Sequence, residues 1–464
     1  TTLEEVVAFA DNFRSWKPGI RSTFRAKGGS SANAPYVCLD PSEAIYVYPT
    51  GLQGRTKRTP YTIGAYYVDP NPLQYALKDN KLVMFIDYGS ASFSNDGSSW
   101  DNAIRSVNRA LDYLASVTDY PGYPREIWIK SGSSTVLELN NHADATTATV
   151  LMRAGIGIYG GFHPDLTGTD GATDRYETFV PAGSTTEVSK RDPVNYRTVW
   201  DGRLDGTSDG RRTKHLVTFR EEGIAILDGL HIVNADCSTG SSFVPYGAAI
   251  LIRSGEMIVR NCMIENNTAL AAPAIAMLNE AKRLVMVNTV VNNNTSMASS
   301  DNEFSSAVLT QGTFEANYCD FIHNKGVGVY VSSGSADIFN SVFWGNTVTP
   351  EAPRSSDLQL NGSGDAMLRV EASGIQNAPE AWNLFAPGTN NVRLGLTETD
   401  GFPVPTFVNA SSAIGTVLFG YDTPGGGPAV FEPSCLSPLI GMAKSVPDEY
   451  TDLMTDADIY GVER

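Results

Sequence analysis

The chain has 464 residues, with 34 Lys plus Arg against 51 Asp plus Glu and a net charge of −17. That balance argues against DNA, RNA or an anionic membrane surface as a partner, and it suits a surface that repels its own copies. Charged residues make up only 18%, Gly numbers 43, and segments rich in Val, Ile, Thr and Tyr alternate with Asn, which favours strands and turns over helices.

The length suits two or three ordinary domains or one elongated repeat domain. Cys38, Cys237, Cys262, Cys319 and Cys435 form no CxxC pair, and the His residues are scattered, so neither a zinc site nor a disulfide scaffold is indicated. No apolar run reaches the roughly 18 residues of a membrane span. The chain opens Thr-Thr rather than Met and shows no signal peptide, the pattern of a mature or excised piece.

In chain order, PYVCLDPSEAI, TGLQGRTKR and YTIGAYY come first. KLVMFIDYG then reads as a strand. In SNDGSSWDNAIRSVNRALDYLA, apolar Trp100, Ile104, Val107, Leu111 and Leu114 recur every three or four residues, which predicts one amphipathic helix over 100–114. Ser98 or Ser99 is its natural N-cap, and Asp101 lies in the first turn, where a carboxylate suits the helix dipole. This helix is expected to cover the open end of a sheet and hide strand edges. REIWIKSG and GIGIYGGF read as strands ending in glycine turns. IYGGF lacks the Lys-Ser/Thr ending of a phosphate loop and reads as a tight turn.

From about Gly223 to Thr349 the sequence repeats itself weakly: AILDGLHIVNA, MIVRNCMIENNT, LVMVNTVVNNNT, FEANYCDFIHN, ADIFNSVFWGNT. Anchored on apolar-x-x-Asn, these align Ile264–Asn267, Val291–Asn294, Phe321–Asn324 and Phe343–Asn346, with Asn-to-Asn steps of 27, 30 and 22 residues. A fixed core pattern with variable steps means stacked coils joined by loops of different length. Ile264, Val291, Phe321 and Phe343 are expected to point inward as one column, with the small Cys262, Thr289, Cys319 and Ser341 two residues earlier on the same face. Parity flips at Asn261, Asn288 and Asn340, which marks a corner, and beyond it Val259, Met286, Ala316 and Ile338 face inward. Aligned asparagines at corners can form hydrogen-bonded ladders. Cys262 and Cys319 are separated by the coil of Thr289; two strand spacings of about 4.8 Å exceed disulfide reach, so both are expected to be reduced and buried.

The fold class expected is all-β: a right-handed parallel β-helix, or solenoid, with one N-terminal capping helix. The order NDGSSWDNAI, REIWIKSG, IYGGF, LDGLHIVNA resembles β-helix surface proteins of Bacteroidota of the choice-of-anchor Q type. FIHN, FWGN and YGAAI are similar to the repeats of chlamydial polymorphic outer membrane proteins. VEASGIQN, PTFVN and CLSPLIGMA match that family's closing segment. Handedness comes from the resemblance and the general rule for parallel crossovers. The resemblance also implies surface proteins exported by the type IX route, some acting as adhesins or in gliding.

The two ends look alike. Cys38-Leu39-Asp40-Pro41 pairs with Cys435-Leu436-Ser437-Pro438, Gly54 with Gly461, and Phe9-Ala10-Asp11-Asn12 with Phe407-Val408-Asn409. Residues 1–79 are therefore expected to be the closing segment of a preceding unit plus a linker, 80–398 the capping helix and β-helix, and 399–464 a closing segment cut before its last strand at DIYGVER. Short GxxR and CLxP matches also arise by chance.

Pectate-lyase-like enzymes share the expected fold and need a Lys or Arg base beside carboxylates on one outer face. The outward column beside the core holds Met263, Val290, Asp320 and Val342, and one aspartate among three apolar residues is no metal site. Nothing in the spacing requires Arg260, Asp320 and Lys325 to meet. Asp96-Gly97 and Asp228-Gly229 fit turn chemistry, and the run Asp205 to Gly210 fits a plain loop, with calcium the alternative at each. His231 and His323 fit packed or solvated strand residues. No catalytic, cofactor-binding or metal residue is singled out.

The function expected is a non-catalytic repeat module of a long secreted or cell-surface adhesin, stalk or filament. Its expected partners are neighbouring repeats, like subunits, surface glycans or other surface proteins, with no nucleic acid and no direct membrane span. The alternatives are a polysaccharide lyase or glycoside hydrolase, and a phage or viral fibre.

Overall fold

The computed structural model describes residues 73–89, 95–135, 148–172, 177–203, 212–238, 245–278, 280–298, 305–347, 357–361, 366–377, 383–395 and 401–402, and the strand pair Ile45–Tyr46 and Pro60–Tyr61. Contacts divide the chain into two compact units, residues 1–74 with 94–96 and residues 75–93 with 97–464. Of the closing segments expected over 1–79 and 399–464, the described residues include only the strand pair, residues 73–79 and residues 401–402; DIYGVER, Cys38 and Cys435 lie outside them.

The second unit is a parallel β-helix. One coil shows the plan: strand Ile250–Ile252, strand Gly255–Arg260, a corner at Asn261, strand Met263–Glu265, a corner at Asn266, then Thr268–Ala269. The next coil repeats it with Ile275–Met277, Ala281–Val287, Val290–Asn292 and Thr295–Ser296. Equivalent strands pair in parallel, Met257 with Leu284 and Ile264 with Val291. The stack thus has a leading, a long and a trailing face. Ser306–Asn317 and Val327–Phe339 run through the first two faces without a break.

The corners follow from backbone conformation. Asn261, Asn288, Tyr318, Asn340 and Ala372 all have φ near 50°. A second row, Asn234, Asn266, Asn293 and His323, is left-handed as well. Asn tolerates this region far better than most residues, which is why asparagine recurs at these places.

The columns fall where the repeat places them. Ile232, Ile264, Val291, Phe321, Phe343 and Ile375 lie in one register and are buried. Phe321 and Phe343 stack with centroids 4.7 Å apart and planes 10° apart, close to the strand spacing. Cys262, Thr289, Cys319 and Ser341 are buried, as are Val259, Met286, Ala316 and Ile338. Cys262 and Cys319 carry free thiols, with Thr289 in the coil between. The step of 22 belongs to a coil in which Val327 follows at once on Lys325–Gly326, while in the step of 30 the chain has residues 297–305 between Ser296 and Ser306.

Two expectations need correction at the start of the stack. The helix 100–114 is not continuous. A 3-10 turn, Trp100–Asn102, is capped by Ser99; Ala103 is extended; and the α-helix runs Val107–Ser116 with Ser106 as its cap. Ile104 instead bridges to Ile86, and Trp100 packs between Phe85 and Phe162. The apolar end of the stack thus outcompetes the helical periodicity. IYGGF is not a tight turn either. Ile156–Phe162 is a strand in which Gly160 and Gly161 together oppose Ile129, a bulge. A Cβ on Gly160 would lie 2.5 Å from the Gly229 carbonyl.

Helix Val107–Ser116 does cover an edge. Val150–Met152 is the last strand in its sheet's order. Beside it the Asn108 amide donates to the Thr149 carbonyl at 2.9 Å, and its oxygen accepts from Leu151 N–H at 3.0 Å. One side chain therefore stands in for a missing neighbouring strand.

Candidate functional site

Three polar groupings on the coils are the candidates for chemistry. The first is at the corner Asp228-Gly229. Asp228 is buried at the end of strand Ile224–Asp228. Arg191 meets its Oδ1 at 2.5 Å, Arg260 Nε meets Oδ2 at 2.5 Å, and Asn261 Nδ2 donates to Oδ1 at 2.9 Å. Arg191 also donates to the Gly160 carbonyl and lies over the Tyr159 and Phe162 rings. Gly229 has φ 73°, and a Cβ there would sit 2.5 Å from the Arg191 guanidinium, so the corner needs glycine twice over.

The electrostatics of this knot are self-contained. Burial alone would raise the Asp228 carboxyl, but the two guanidiniums outweigh it and hold the group below the usual carboxylate range. The Asp228 charge in turn holds Arg260 above its ordinary value, against its own desolvation. Desolvation pushes the Tyr159 hydroxyl up. A lyase base must release its proton near the working pH. Arg260 is driven the other way. Both oxygens of Asp228 are taken by arginines.

The second grouping lies on the outer side of the trailing face. Met263, Val290, Asp320 and Val342 do form one row. The row points outward but is not open to solvent along its length: Met263 and Val290 are buried, and Asp320 and Val342 are half-buried. In the next row Glu265, Asn292 and Ile322 are buried too. His231 Nε2 meets Glu265 Oε1 at 2.6 Å, and Asn292 Nδ2 donates to Glu265 Oε2 at 3.2 Å. The half-buried Asp320 sits in register between Val290 and Val342, and desolvation pushes its carboxyl up to about 7. Arg260, Asp320 and Lys325 are not brought together: Arg260 is engaged at the first corner, Asp320 lies two coils on, and Lys325 bridges Thr295 and Thr347 at the second corner.

The third grouping is the asparagine ladder. Asn294 Oδ1 accepts from the backbone and side chain of Asn267, Asn324 Oδ1 does the same for Asn294, and Asn346 Oδ1 for Asn324. Each amide nitrogen also donates to a carbonyl of the preceding coil: Ile232, Ile264, Val291 and Phe321. The ladder ends on Asp357, whose Oδ1 accepts from Asn346 and whose Oδ2 accepts from Asn377 N–H. Asp357 is fully buried, and desolvation outweighs those hydrogen bonds to push its carboxyl up to about 6.

Among the described residues no group of three or more His, Cys, Asp or Glu converges as a metal site, and the run Asp205 to Gly210 lies outside them. His231 is a packed strand residue, as expected, while His323 sits half-buried at a left-handed corner just past its strand, with its ring edge-on to Trp344 at 5.0 Å. Sequence reasoning missed the His231–Glu265 pair and the reach of Arg191. The first was available one row along the same alignment, since His231 pairs with Met263 and Glu265 lies two residues on. The second had no sequence signal, because Arg191 comes from an insertion between two strands of one coil.

A family model described as a right handed beta helix region matches residues 213–365. The fold is a right-handed parallel β-helix. Among solved structures, pectate lyase Pel9A is similar, at 12% identity and a TM-score of 0.41, over 85% of this chain and 97% of that one. No curated protein matches the chain. The three polar groupings thus belong to a β-helix, and each links a coil to its neighbour.

Proposed function

We propose that the chain is a non-catalytic repeat module of a secreted or cell-surface protein, working as a stiff segment of an adhesin, stalk or filament. One observation carries this reading. The buried polar chemistry of the coils is directed along the stack, from Asn267 through Asn294, Asn324 and Asn346 to Asp357, and from Asp228 to Arg191 and Arg260. Such bonds hold coils in register and stiffen a rod. The net charge of −17 supports a self-repelling exterior. Export by the type IX route and neighbouring repeats as partners belong to the same proposal.

A polysaccharide lyase or hydrolase is the second reading, favoured by one group, the Asp320 carboxyl titrating near neutrality. The test is to incubate the full chain with polygalacturonate and with neutral glycans, with and without calcium, following unsaturated products and new reducing ends. The expected result is no turnover above buffer. Turnover that disappears in Asp320→Asn would overturn the structural reading.

A further inference from the structure

Aromatic side chains gather where the stack begins. Tyr75 lies 6.4 Å from Tyr113 on helix Val107–Ser116 and 6.5 Å from Tyr120, and Tyr120 lies 5.5 Å from Tyr123, centroid to centroid. Tyr120 is 43% exposed, Tyr123 37%, and Leu77 51%. Tyr75 and Leu77 share a side by strand alternation, since Ala76 between them packs on the aromatic core of Phe85, Trp100 and Trp128.

The turn that presents these rings is strained. Tyr120 has φ 52°, unusual for a bulky residue. It precedes Pro121, which further disfavours helical backbone. The turn closes through Tyr123 N–H donating to the Tyr120 carbonyl at 3.2 Å. Desolvation, and next the charge of Asp119, raise the Tyr75 hydroxyl above its ordinary value, which puts that carboxylate near the polar tip of the ring. Of the nearby cations, Arg125 donates to the Val117 carbonyl and Lys78 to that of Thr169, while the exposed Arg109 lies one helical turn before Tyr113.

We infer that Tyr75, Tyr113, Tyr120 and Tyr123 form a binding platform for a neutral saccharide. Size decides against a protein partner. At roughly 200 Å² per aromatic side chain, the exposed parts of Tyr120 and Tyr123 offer about 160 Å². A stable protein interface needs about 800 Å² on each side. One or two sugar rings fit the smaller area. Their C–H faces stack on tyrosine rings, while hydroxyls reach the phenol tips and the Asp119 carboxylate. Acidic Asp119, with Arg125 and Lys78 engaged elsewhere, disfavours a uronate. The inference rests on the reading of a non-catalytic surface module and names the chemistry that it would hold.

The test uses the full chain and calorimetry with gluco-, manno-, galacto- and xylo-configured neutral oligosaccharides, with oligogalacturonate as the anionic control. Two variants spare the fold: Tyr120→Asn, because Asn accepts the left-handed backbone, and Tyr123→Ala at an exposed position. At least one neutral series should bind, and each variant should weaken it by about tenfold or more with an unchanged melting temperature. No binding of any neutral series at about 1 mM, equal binding by the variants, or preference for oligogalacturonate would each overturn the platform. None of those results touches the rod reading, which falls only on turnover.

Discussion

At the scale of single residues, buried amides and carboxylates set the chemistry of the stack. Asn294 is fully buried and receives or gives hydrogen bonds to Asn267, Ile264, Asn292 and Asn324. Replacing it by Ala strands the Asn267 donors and takes a donor from the Ile264 and Asn292 carbonyls and from Asn324 Oδ1. Asn294→Ala should therefore cost about 3 kcal/mol, read as a lower urea midpoint; a loss under about 1 kcal/mol would refute the ladder's role.

The carboxylates give a pH dependence with two signs. Asp320 and Asp357, raised to about 7 and about 6 by desolvation, hold protons in the folded chain that the unfolded chain has already released. Between the unfolded carboxylate value of about 4 and their folded values, stability from these groups rises as pH falls. Asp228 is depressed, so its contribution is present above the unfolded value and disappears in stronger acid as pH falls through the folded one. Melting temperature should thus be higher at pH 5 than at pH 8 and fall again in stronger acid. In Asp320→Asn the gain between pH 8 and pH 5 should shrink; an unchanged profile would show that Asp320 is well solvated.

At the scale of elements, the edge and the corner are the weak places. From the helix side, Asn108 bonds the backbone of Thr149 and Leu151 along the edge of strand Val150–Met152. Asn108→Leu should cost about 2 kcal/mol and raise light scattering on heating, because an uncovered strand edge pairs with other chains. A soluble variant with an unchanged melting curve would refute edge protection. At the corner, Arg191→Met leaves the buried Asp228 with the Arg260 charge and the Asn261 amide and should destabilise by about 3 kcal/mol. Measured beside Arg260→Met and the double variant, it should show coupling, since both arginines hold one carboxylate.

At the scale of the whole molecule, the β-helix was legible where the coils repeat and illegible where they do not. The inward column Ile264, Val291, Phe321, Phe343 and the asparagines three residues on could be aligned because every coil must bury one side chain and turn one corner at the same height. The sequence by itself determined these columns, the left-handed corners at Asn261, Asn288 and Asn340, and the spacing of Cys262 from Cys319. Only the tertiary structure decided the rest. It split the helix at Ala103, because Trp100 and Ile104 gain more by packing on Phe85 and bridging to Ile86 than by continuing a helical turn. It brought Arg191 to Asp228 through an insertion of no fixed length, and it buried an outer row that period-two alternation assigns to solvent. Periodicity reports which side of a strand a residue takes; what lies beyond that side is a long-range fact, set by parts of the chain far away in sequence.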